Sequence, residues 1–252
     1  MTVPRPALKA RAAVGAVALL ALACGGDRGA PVPASAAPAW PERVLAARDF
    51  AAGTRPPLLV LLHGIGADEN DLFGLARHLD RRFTIVSLRA PHPYHVGFAW
   101  FDVQFLPGGQ VVPDVAGARE ALAALVRWLA AAPARLGTDP DRTFVLGFSQ
   151  GAMMALGTLA TAPERLAGVV ALSGRYPEDV FAGTAHRDAI ARVPVLVAHG
   201  TVDDVLAVEN GRRIRDALQP LCRDFTYREF VVGHGIAPDE LAVVAQWLSA
   251  HL

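Results

Sequence analysis

Cysteine, aromatic residues and net charge are all scarce in this chain of 252 residues. One of its two cysteines, Cys24, lies in an N-terminal apolar segment that we expect to be separate from the folded domain, which leaves Cys222 as the only thiol of that domain. A single thiol cannot form an internal disulfide, so a disulfide framework is excluded. The 24 basic and 24 acidic side chains cancel, and nothing in this balance suggests a nucleic acid or an acidic partner.

The N-terminus has the pattern of an export signal. Basic residues precede an apolar run over residues 12–23, which is too short to span a membrane comfortably. The run ends in Leu-Ala-Leu-Ala followed by Cys24, which resembles a bacterial lipoprotein signal, so residues 1–23 are the predicted signal peptide and Cys24 the predicted lipidation site. An ordinary signal peptide is the alternative. We predict a lipoprotein of the bacterial cell envelope, or otherwise a periplasmic or secreted protein.

The remaining chain divides into a tether and one domain. Residues 24–40 are rich in Gly, Pro, Ala and Ser and predict a flexible tether. Residues 41–252 are the predicted catalytic domain. Apolar runs predict strands at 58–62, 84–88, 144–146, 168–172, 193–197 and 226–232. Helical spacing of apolar residues predicts helices at 71–79, 118–131, 152–160, 209–218 and 238–251. Their alternation predicts an α/β fold, with a mostly parallel sheet and helices on both faces.

Residues 147–151, Gly-Phe-Ser-Gln-Gly, have the G-x-S-x-G pattern. A predicted strand leads into this segment and a predicted helix leads out, which is the context of a nucleophile elbow. A serine on such a sharp turn carries its hydroxyl above the sheet, and the two glycines let the strand and helix backbones approach closely. Ser149 is therefore the predicted nucleophile.

A serine hydroxyl needs a base, and the base needs an orienting acid. Of the eight histidines, only His234 follows a strand near the C-terminus, where α/β-hydrolases carry their catalytic histidine. Asp203 and Asp204 follow the strand predicted at 193–197, so one of them is expected to hold His234 in the useful tautomer. The order of serine, acid and histidine along the chain is that of the α/β-hydrolases.

Two backbone N–H groups are needed to bind the oxyanion that forms during acyl transfer. Gln150, directly after the nucleophile, is expected to provide one, and Ile65, in the loop after strand 58–62, the other. That loop is not a nucleotide site, because it lacks the third glycine of G-x-G-x-x-G and has acidic residues where phosphate would lie. No grouping of His, Cys and Asp has metal-ligand spacing, so we assign no metal and no cofactor.

Four segments together resemble the phospholipase/carboxylesterase family of α/β-hydrolases, which includes the acyl-protein thioesterases. They are Leu-Leu-His-Gly-Ile-Gly-Ala-Asp-Glu at 61–69, Gly-Phe-Ser-Gln-Gly-Ala at 147–152, His-Gly-Thr-Val-Asp at 199–203 and Gly-His at 233–234. The resemblance spans roughly residues 55 to 251. It implies a compact α/β-hydrolase with little or no lid that cleaves carboxylic esters or thioesters. It also implies that Ile65 and Gln150 form the oxyanion hole, and its spacing favours Asp203 as the acid.

The predicted function is hydrolysis of short-to-medium acyl carboxylic esters by a serine carboxylesterase. The apolar residues expected to form the walls of its substrate pocket are Trp100, Phe101, Val205 and Leu206. A polysaccharide-side-chain esterase, such as an acetyl or feruloyl esterase, and a thioesterase are alternatives. A further alternative is a non-catalytic surface lipoprotein that uses the fold for binding. The complete predicted triad argues against that last reading, because a binding module has no need of all three residues.

Overall fold

The computed structural model describes residues 37–105, 111–178 and 186–252, so the predicted lipidation site Cys24 lies outside the described residues. Within them the strands are β1 (Glu42–Leu45), β2 (Leu58–Leu62), β3 (Thr84–Leu88), β4 (His92–Tyr94), β5 (Gly97–Ala99), β6 (Val103–Phe105), β7 (Val111–Pro113), β8 (Thr143–Phe148), β9 (Gly168–Leu172), β10 (Val195–Gly200) and β11 (Phe225–Phe230). The helices are α1 (Val115–Leu136), α2 (Gln150–Thr161), α3 (Arg187–Ile190), α4 (Glu209–Leu218) and α5 (Pro238–Ala250), with 3₁₀ turns at Leu72–His78 and Pro163–Arg165.

Seven of these strands form a central sheet in the order β1-β3-β2-β8-β9-β10-β11. Strand β1 runs antiparallel to β3, and every other neighbouring pair in this sheet is parallel. Two small antiparallel hairpins, β4 with β5 and β6 with β7, follow the end of β3. The carboxyl ends of β2, β8, β10 and β11 therefore meet along one edge of the sheet.

Burial on both faces explains why the inner strands are continuous apolar runs. Successive residues of β2 are buried and alternate between two apolar clusters: Leu58 and Val60 pack beneath α1, α2 and α4, whereas Leu59 packs beneath α5 and the 3₁₀ turn at Leu72–His78. The predicted α/β-hydrolase fold, with a mostly parallel sheet covered on both faces, is confirmed.

The short strands β4 to β7 and the short helix α3 were not predicted, and three further differences have a physical reason. The helix predicted at 71–79 is a 3₁₀ turn at Leu72–His78, and its third residue, Gly74, disfavours regular helix. Strand β1 was not predicted, because its sequence Glu-Arg-Val-Leu has neither a buried run nor a clean alternation. Helix α1 extends beyond the prediction at both ends. It begins after Asp114, whose side chain caps the Ala116 amide, and it ends at Leu136.

None of the helices in the described part of the chain is both long enough and apolar enough to span a bilayer.

The turn between β8 and α2 depends on two glycines. An added Cβ at Gly147 would lie 2.1 Å from the carbonyl oxygen of Gly151, and one at Gly151 would lie 1.9 Å from the carbonyl oxygen of Leu62. Both distances are shorter than any real contact between such atoms, and each involves backbone rather than a flexible side chain. The packing of α2 against β2 therefore requires that these positions carry no side chain.

We expect Gly151→Ala to lower the free energy of unfolding by about 3 kcal/mol, at the upper end of the cost of overpacking a core. Gly74→Ala is the matched control, because a Cβ there meets nothing within 4 Å, and it should change stability by less than about 1 kcal/mol. Urea unfolding of the two variants measures the difference. Equal stability of the two variants would show that the elbow has room to relax.

Candidate active site

The elbow residue Ser149 has an unusual backbone conformation. It sits between β8 and α2 at φ 54° and ψ −115°, in the region of positive φ that residues with side chains rarely adopt. Its amide donates a hydrogen bond of 2.9 Å to the carbonyl of Leu172 at the end of β9. This bond and the close packing at the two elbow glycines hold the strained turn, which places the Ser149 side chain at the carboxyl edge of the sheet.

The three residues predicted as nucleophile, base and acid are joined by hydrogen bonds. His234 Nε2 lies 2.9 Å from Ser149 Oγ, and His234 Nδ1 lies 2.8 Å from Asp203 Oδ2. With its proton on Nδ1, the imidazole donates to the carboxylate and accepts from the serine hydroxyl. The ring of Phe148 packs against the imidazole at a centroid distance of 4.9 Å, which further fixes its orientation.

Asp203 is held as a buried carboxylate. Its side chain is fully buried, and its Oδ1 accepts hydrogen bonds from the amides of Val205 (3.0 Å) and Leu206 (2.8 Å). Burial by itself would raise the pKa of Asp203, but the hydrogen bonds from His234 and the two amides outweigh it and lower the pKa. The neighbouring Asp204 is exposed, so the structure brings Asp203 and not Asp204 to the histidine.

A second histidine, His199, supports this acid and was not assigned a role from the sequence. It is fully buried at the end of β10, where its Nε2 donates to the carbonyl of Leu206 (2.7 Å) and lies 3.5 Å from Asp203 Oδ2. Because the Leu206 amide in turn donates to Asp203, the imidazole ties together the loop that positions the carboxylate. The ring fits against α4 only because Gly211 lacks a side chain: an added Cβ would lie 2.7 Å from the His199 Cβ and 2.8 Å from the ring atoms Cγ and Nδ1.

The loop that follows β2 lies against the elbow. A Cβ added at Gly64 would lie 3.3 Å from the Ser149 Cβ, so the backbone on either side of this glycine runs close to the nucleophile. Beyond Ile65, the Gly66 amide donates to the Phe98 carbonyl (2.8 Å), and the Phe98 amide donates to the Ala67 carbonyl (2.8 Å). The hairpin of β4 and β5 therefore anchors the loop that carries the predicted oxyanion donor Ile65.

An ion pair and a buried histidine stabilise the same loop. Arg89, just after β3, donates two hydrogen bonds to Glu69 and lies over the ring of Phe98. His63 is fully buried, with Nδ1 donating to the Gly64 carbonyl (2.7 Å) and Nε2 accepting from the Ala90 amide (3.0 Å). Burial lowers the pKa of His63, so it stays a neutral structural residue at physiological pH.

Gln150 contributes a side chain as well as its predicted backbone donor. The Gln150 Oε1 accepts from the Trp100 amide (2.8 Å), and its Nε2 donates to the Phe101 carbonyl (2.7 Å). The side chain thereby fixes the segment before β6 against the elbow. A side-chain amide has both a donor and an acceptor, which suits hydrogen bonding to a backbone amide and a backbone carbonyl. The residue type could have suggested that Gln150 makes such hydrogen bonds, but it could not have identified the segment that it contacts.

The four residues predicted as pocket walls lie in different environments. Trp100 is fully buried, packs on Trp40 and donates from Nε1 to the His63 carbonyl (2.9 Å), so its ring supports the site from behind and forms no exposed wall. Phe101 lines a cleft. Val205 is 65% exposed and Leu206 is half-buried beside Asp203.

The cleft that Phe101 lines has a volume of about 240 Å³ and begins one helical turn from the nucleophile. Its apolar walls come from α1, α2 and the segment before α1, and include Pro113, Val115, Ala118, Leu122, Met153 and Met154. Its rim includes Arg175, Tyr176, Pro177 and Glu178 after β9, and Arg213 on α4. The sequence singled out only one of these lining residues, because the others have ordinary helical spacing.

The described residues offer no comparable arrangement for catalysis by a metal ion or by a cysteine. In the described part of the chain, no group of three or more His, Cys, Asp or Glu side chains could hold a metal ion. Burial raises the pKa of the free Cys222 thiol to about 11, so it is protonated and unreactive near neutral pH. The hydrogen-bonded chain from Asp203 through His234 to Ser149 is suited to nucleophilic attack with general-base assistance.

Known proteins with similar sequences and structures share this architecture. The family described as phospholipase/carboxylesterase matches residues 51–252. Acyl-protein thioesterase 1 of Saccharomyces cerevisiae is 29% identical over 214 residues, which cover 77% of this chain and 92% of the yeast protein. The structure of esterase PE8 has a TM-score of 0.71 and 31% identity over 84% of this chain and 99% of its own. A carboxylesterase from Mesorhizobium loti has a TM-score of 0.70 and 26% identity, over 83% and 94% of the two chains.

We expect His199→Leu to lower the free energy of unfolding by about 1–3 kcal/mol, because the partly buried Leu206 carbonyl loses its hydrogen-bond donor. Asp204→Asn is the control on the same loop, and as an exposed substitution it should change stability by less than about 0.5 kcal/mol. Urea titrations at one pH measure both. A His199→Leu variant as stable as the control would mean that the imidazole does not support the loop.

Proposed function

The chain belongs to the phospholipase/carboxylesterase family of α/β-hydrolases, and we propose that it is a serine carboxylesterase that cleaves short-to-medium acyl esters through an acyl-enzyme intermediate. The observation that carries this proposal is the hydrogen-bonded chain from Asp203 through His234 to Ser149. The family supports an esterase or thioesterase, and the proposal adds the residues and the mechanism.

In the proposed reaction His234 Nε2 takes the hydroxyl proton as Ser149 Oγ attacks the carbonyl carbon of the ester. The resulting oxyanion binds the backbone amides of Ile65 and Gln150. The imidazolium, stabilised by Asp203, then gives its proton to the leaving alcohol as the C–O bond breaks. A water molecule attacks the acyl-enzyme with the same base, which releases the acid and restores the serine.

A thioester is the second candidate substrate. The yeast relative is named an acyl-protein thioesterase, and the same attack on a carbonyl carbon would release a thiol in place of an alcohol. Polysaccharide-side-chain esters would suit the proposed export. Comparing kcat/KM for an oxygen ester and a thioester of one acyl group separates the first two, and release of acetate or ferulate from polysaccharide tests the third.

Ser149→Ala and Asp203→Asn should each lower kcat/KM on a p-nitrophenyl ester by a factor on the order of 10³ or more, because triad members act as a unit. Asp204→Asn is the control, since its side chain is exposed and points to no triad member, and it should stay within a few-fold of the parent. A fluorophosphonate probe should label the parent and not Ser149→Ala. Failure of the parent chain to react would favour the non-catalytic lipoprotein.

The best acyl chain is expected to be of short-to-medium length. Each buried methylene contributes about 0.8 kcal/mol to binding until the chain fills the cleft of about 240 Å³ that α1 and α2 line. The sequence has no insertion long enough for an amphipathic lid. A series of p-nitrophenyl esters should therefore show a maximum in kcat/KM and no jump above the solubility limit. Met153→Phe, which narrows the cleft, should move the maximum to shorter chains; activity that still rises at the longest chains would contradict the assignment.

We further propose that the enzyme is exported and anchored through Cys24. The support is the basic start, the apolar run and the cysteine that follows it. Mass spectrometry of the N-terminal peptide of the protein from cells should show a lipid-modified Cys24 as the first residue. A mature protein that starts elsewhere with an unmodified amine would favour an ordinary signal peptide.

A further inference from the structure

The cleft beside the nucleophile is apolar along its walls and charged at its rim. Two arginines, Arg175 and Arg213, and one carboxylate, Glu178, lie among its lining residues. The walls therefore suit a hydrocarbon segment, and among the described residues of the rim the positive charges outnumber the negative one. An apolar acyl chain alone would make no use of the two guanidinium groups.

The two guanidinium groups have no salt-bridge partner among the described residues. On α4 this distinguishes Arg213 from its neighbours, which both form ion pairs. Arg212 pairs with Glu209 and Glu229, and Arg215 pairs with Asp216. Arg213, on the side of the helix that meets the cleft, pairs with none of the described carboxylates. A guanidinium beside a cleft that pairs with none of the described carboxylates is suited to bind a substrate carboxylate in two parallel hydrogen bonds.

The segment that carries Arg175 lies close to Ser149, and the cleft joins this segment to Arg213. Gly174 packs against the elbow, because an added Cβ would lie 2.7 Å from the Ala152 Cβ and 3.6 Å from the Ser149 carbonyl oxygen. Arg175 is the next residue. On the opposite wall, Met153 lies one helical turn from Ser149, which is a rise of about 6 Å.

The cleft lies on the acyl side of the site. His234 must protonate the leaving alcohol, and its ring packs on Phe148 together with the apolar cluster beneath α5. The cleft is on the other face of the sheet, where Leu122 and Met154 belong to the cluster beneath α1 and α2. The leaving group therefore faces α5, and the acyl group points into the cleft.

From these placements we infer that the enzyme selects esters whose acyl group ends in a carboxylate, that is, half-esters of dicarboxylic acids, which Arg175 and Arg213 bind at the rim of the cleft. This inference rests on the proposed esterase function and adds its substrate class. Glu178 opposes the selection, because its negative charge lies on the same rim.

The test compares charged and neutral substrates of equal length. Monoethyl succinate, glutarate and adipate are each paired with the ethyl ester of the unbranched monocarboxylic acid with the same number of methylenes. The measured quantity is the ratio of kcat/KM for the half-ester to kcat/KM for its neutral partner. At the preferred length this ratio should exceed one and should fall as salt is added, because added ions screen a partly exposed charge pair.

Substitutions at the rim test whether Arg175, Arg213 and Glu178 determine the preference for half-esters. The double variant Arg175→Gln with Arg213→Gln should lower the ratio by about ten-fold, the lower end expected for losing hydrogen bonds to a charged group. Glu178→Gln should raise the ratio. Arg55→Gln is the matched control, because it removes one exposed positive charge at the opposite end of β2 from the site.

Failure of the inferred substrate class and failure of the proposed esterase function would give different results. A ratio that responds no more to the double substitution than to Arg55→Gln overturns the inference, and hydrolysis of the neutral esters in the same assay leaves the proposed esterase function standing. If the parent enzyme hydrolyses neither member of any pair and does not react with a fluorophosphonate, the esterase function fails, and the substrate class fails with it.

Discussion

The close approach of β8, β2 and α2 at the elbow is the constraint on which the site depends. Ser149 holds a positive φ, and the positions on either side of the turn have room for glycine alone. The strain is sustained because the Ser149 amide is bonded to β9 and because Gln150 reaches across to the segment at Trp100 and Phe101. A relaxed turn would release both connections, and Ser149 Oγ would move away from His234 Nε2.

Parallel strand order brings the other groups to the same place. Ile65 follows β2, Asp203 follows β10 and His234 follows β11, so residues far apart in sequence meet at one edge of the sheet. The loops after β2 and β10 are then each held by their own hydrogen bonds. The loop after β2 is bonded to the β4–β5 hairpin, and the loop after β10 is tied by His199. The sheet sets the approximate positions, and these local bonds set the final distances.

The positions that follow from the sheet could be predicted from the sequence, whereas those that depend on local hydrogen bonds could not. Inner strands were predictable because burial on both faces demands unbroken apolar runs, and the approach of Ser149, Asp203 and His234 to one another was predictable because they follow parallel strands that end at one edge of the sheet. Strand β1 was missed because an exposed edge strand needs no such run. The support given by His199 was missed because it depends on the Leu206 carbonyl and on Gly211, contacts that no spacing rule encodes. Trp100 was placed on a pocket wall because a large apolar ring near the site is equally suited to a wall or to the core.

The placement of groups on the two faces of the sheet also bears on how specificity can change in this fold. His234 and its packing partner Phe148 belong with α5, whereas the cleft is built from α1, α2 and the segment after β9. Substitutions such as those at Met153 or Arg175 alter the lining of the cleft and leave the hydrogen bonds among Ser149, His234 and Asp203 in place. A rigid elbow with a separately built cleft lets substrate range vary at low cost to catalysis. The charge on the rim of the cleft is therefore where we expect the choice of acyl group to be set.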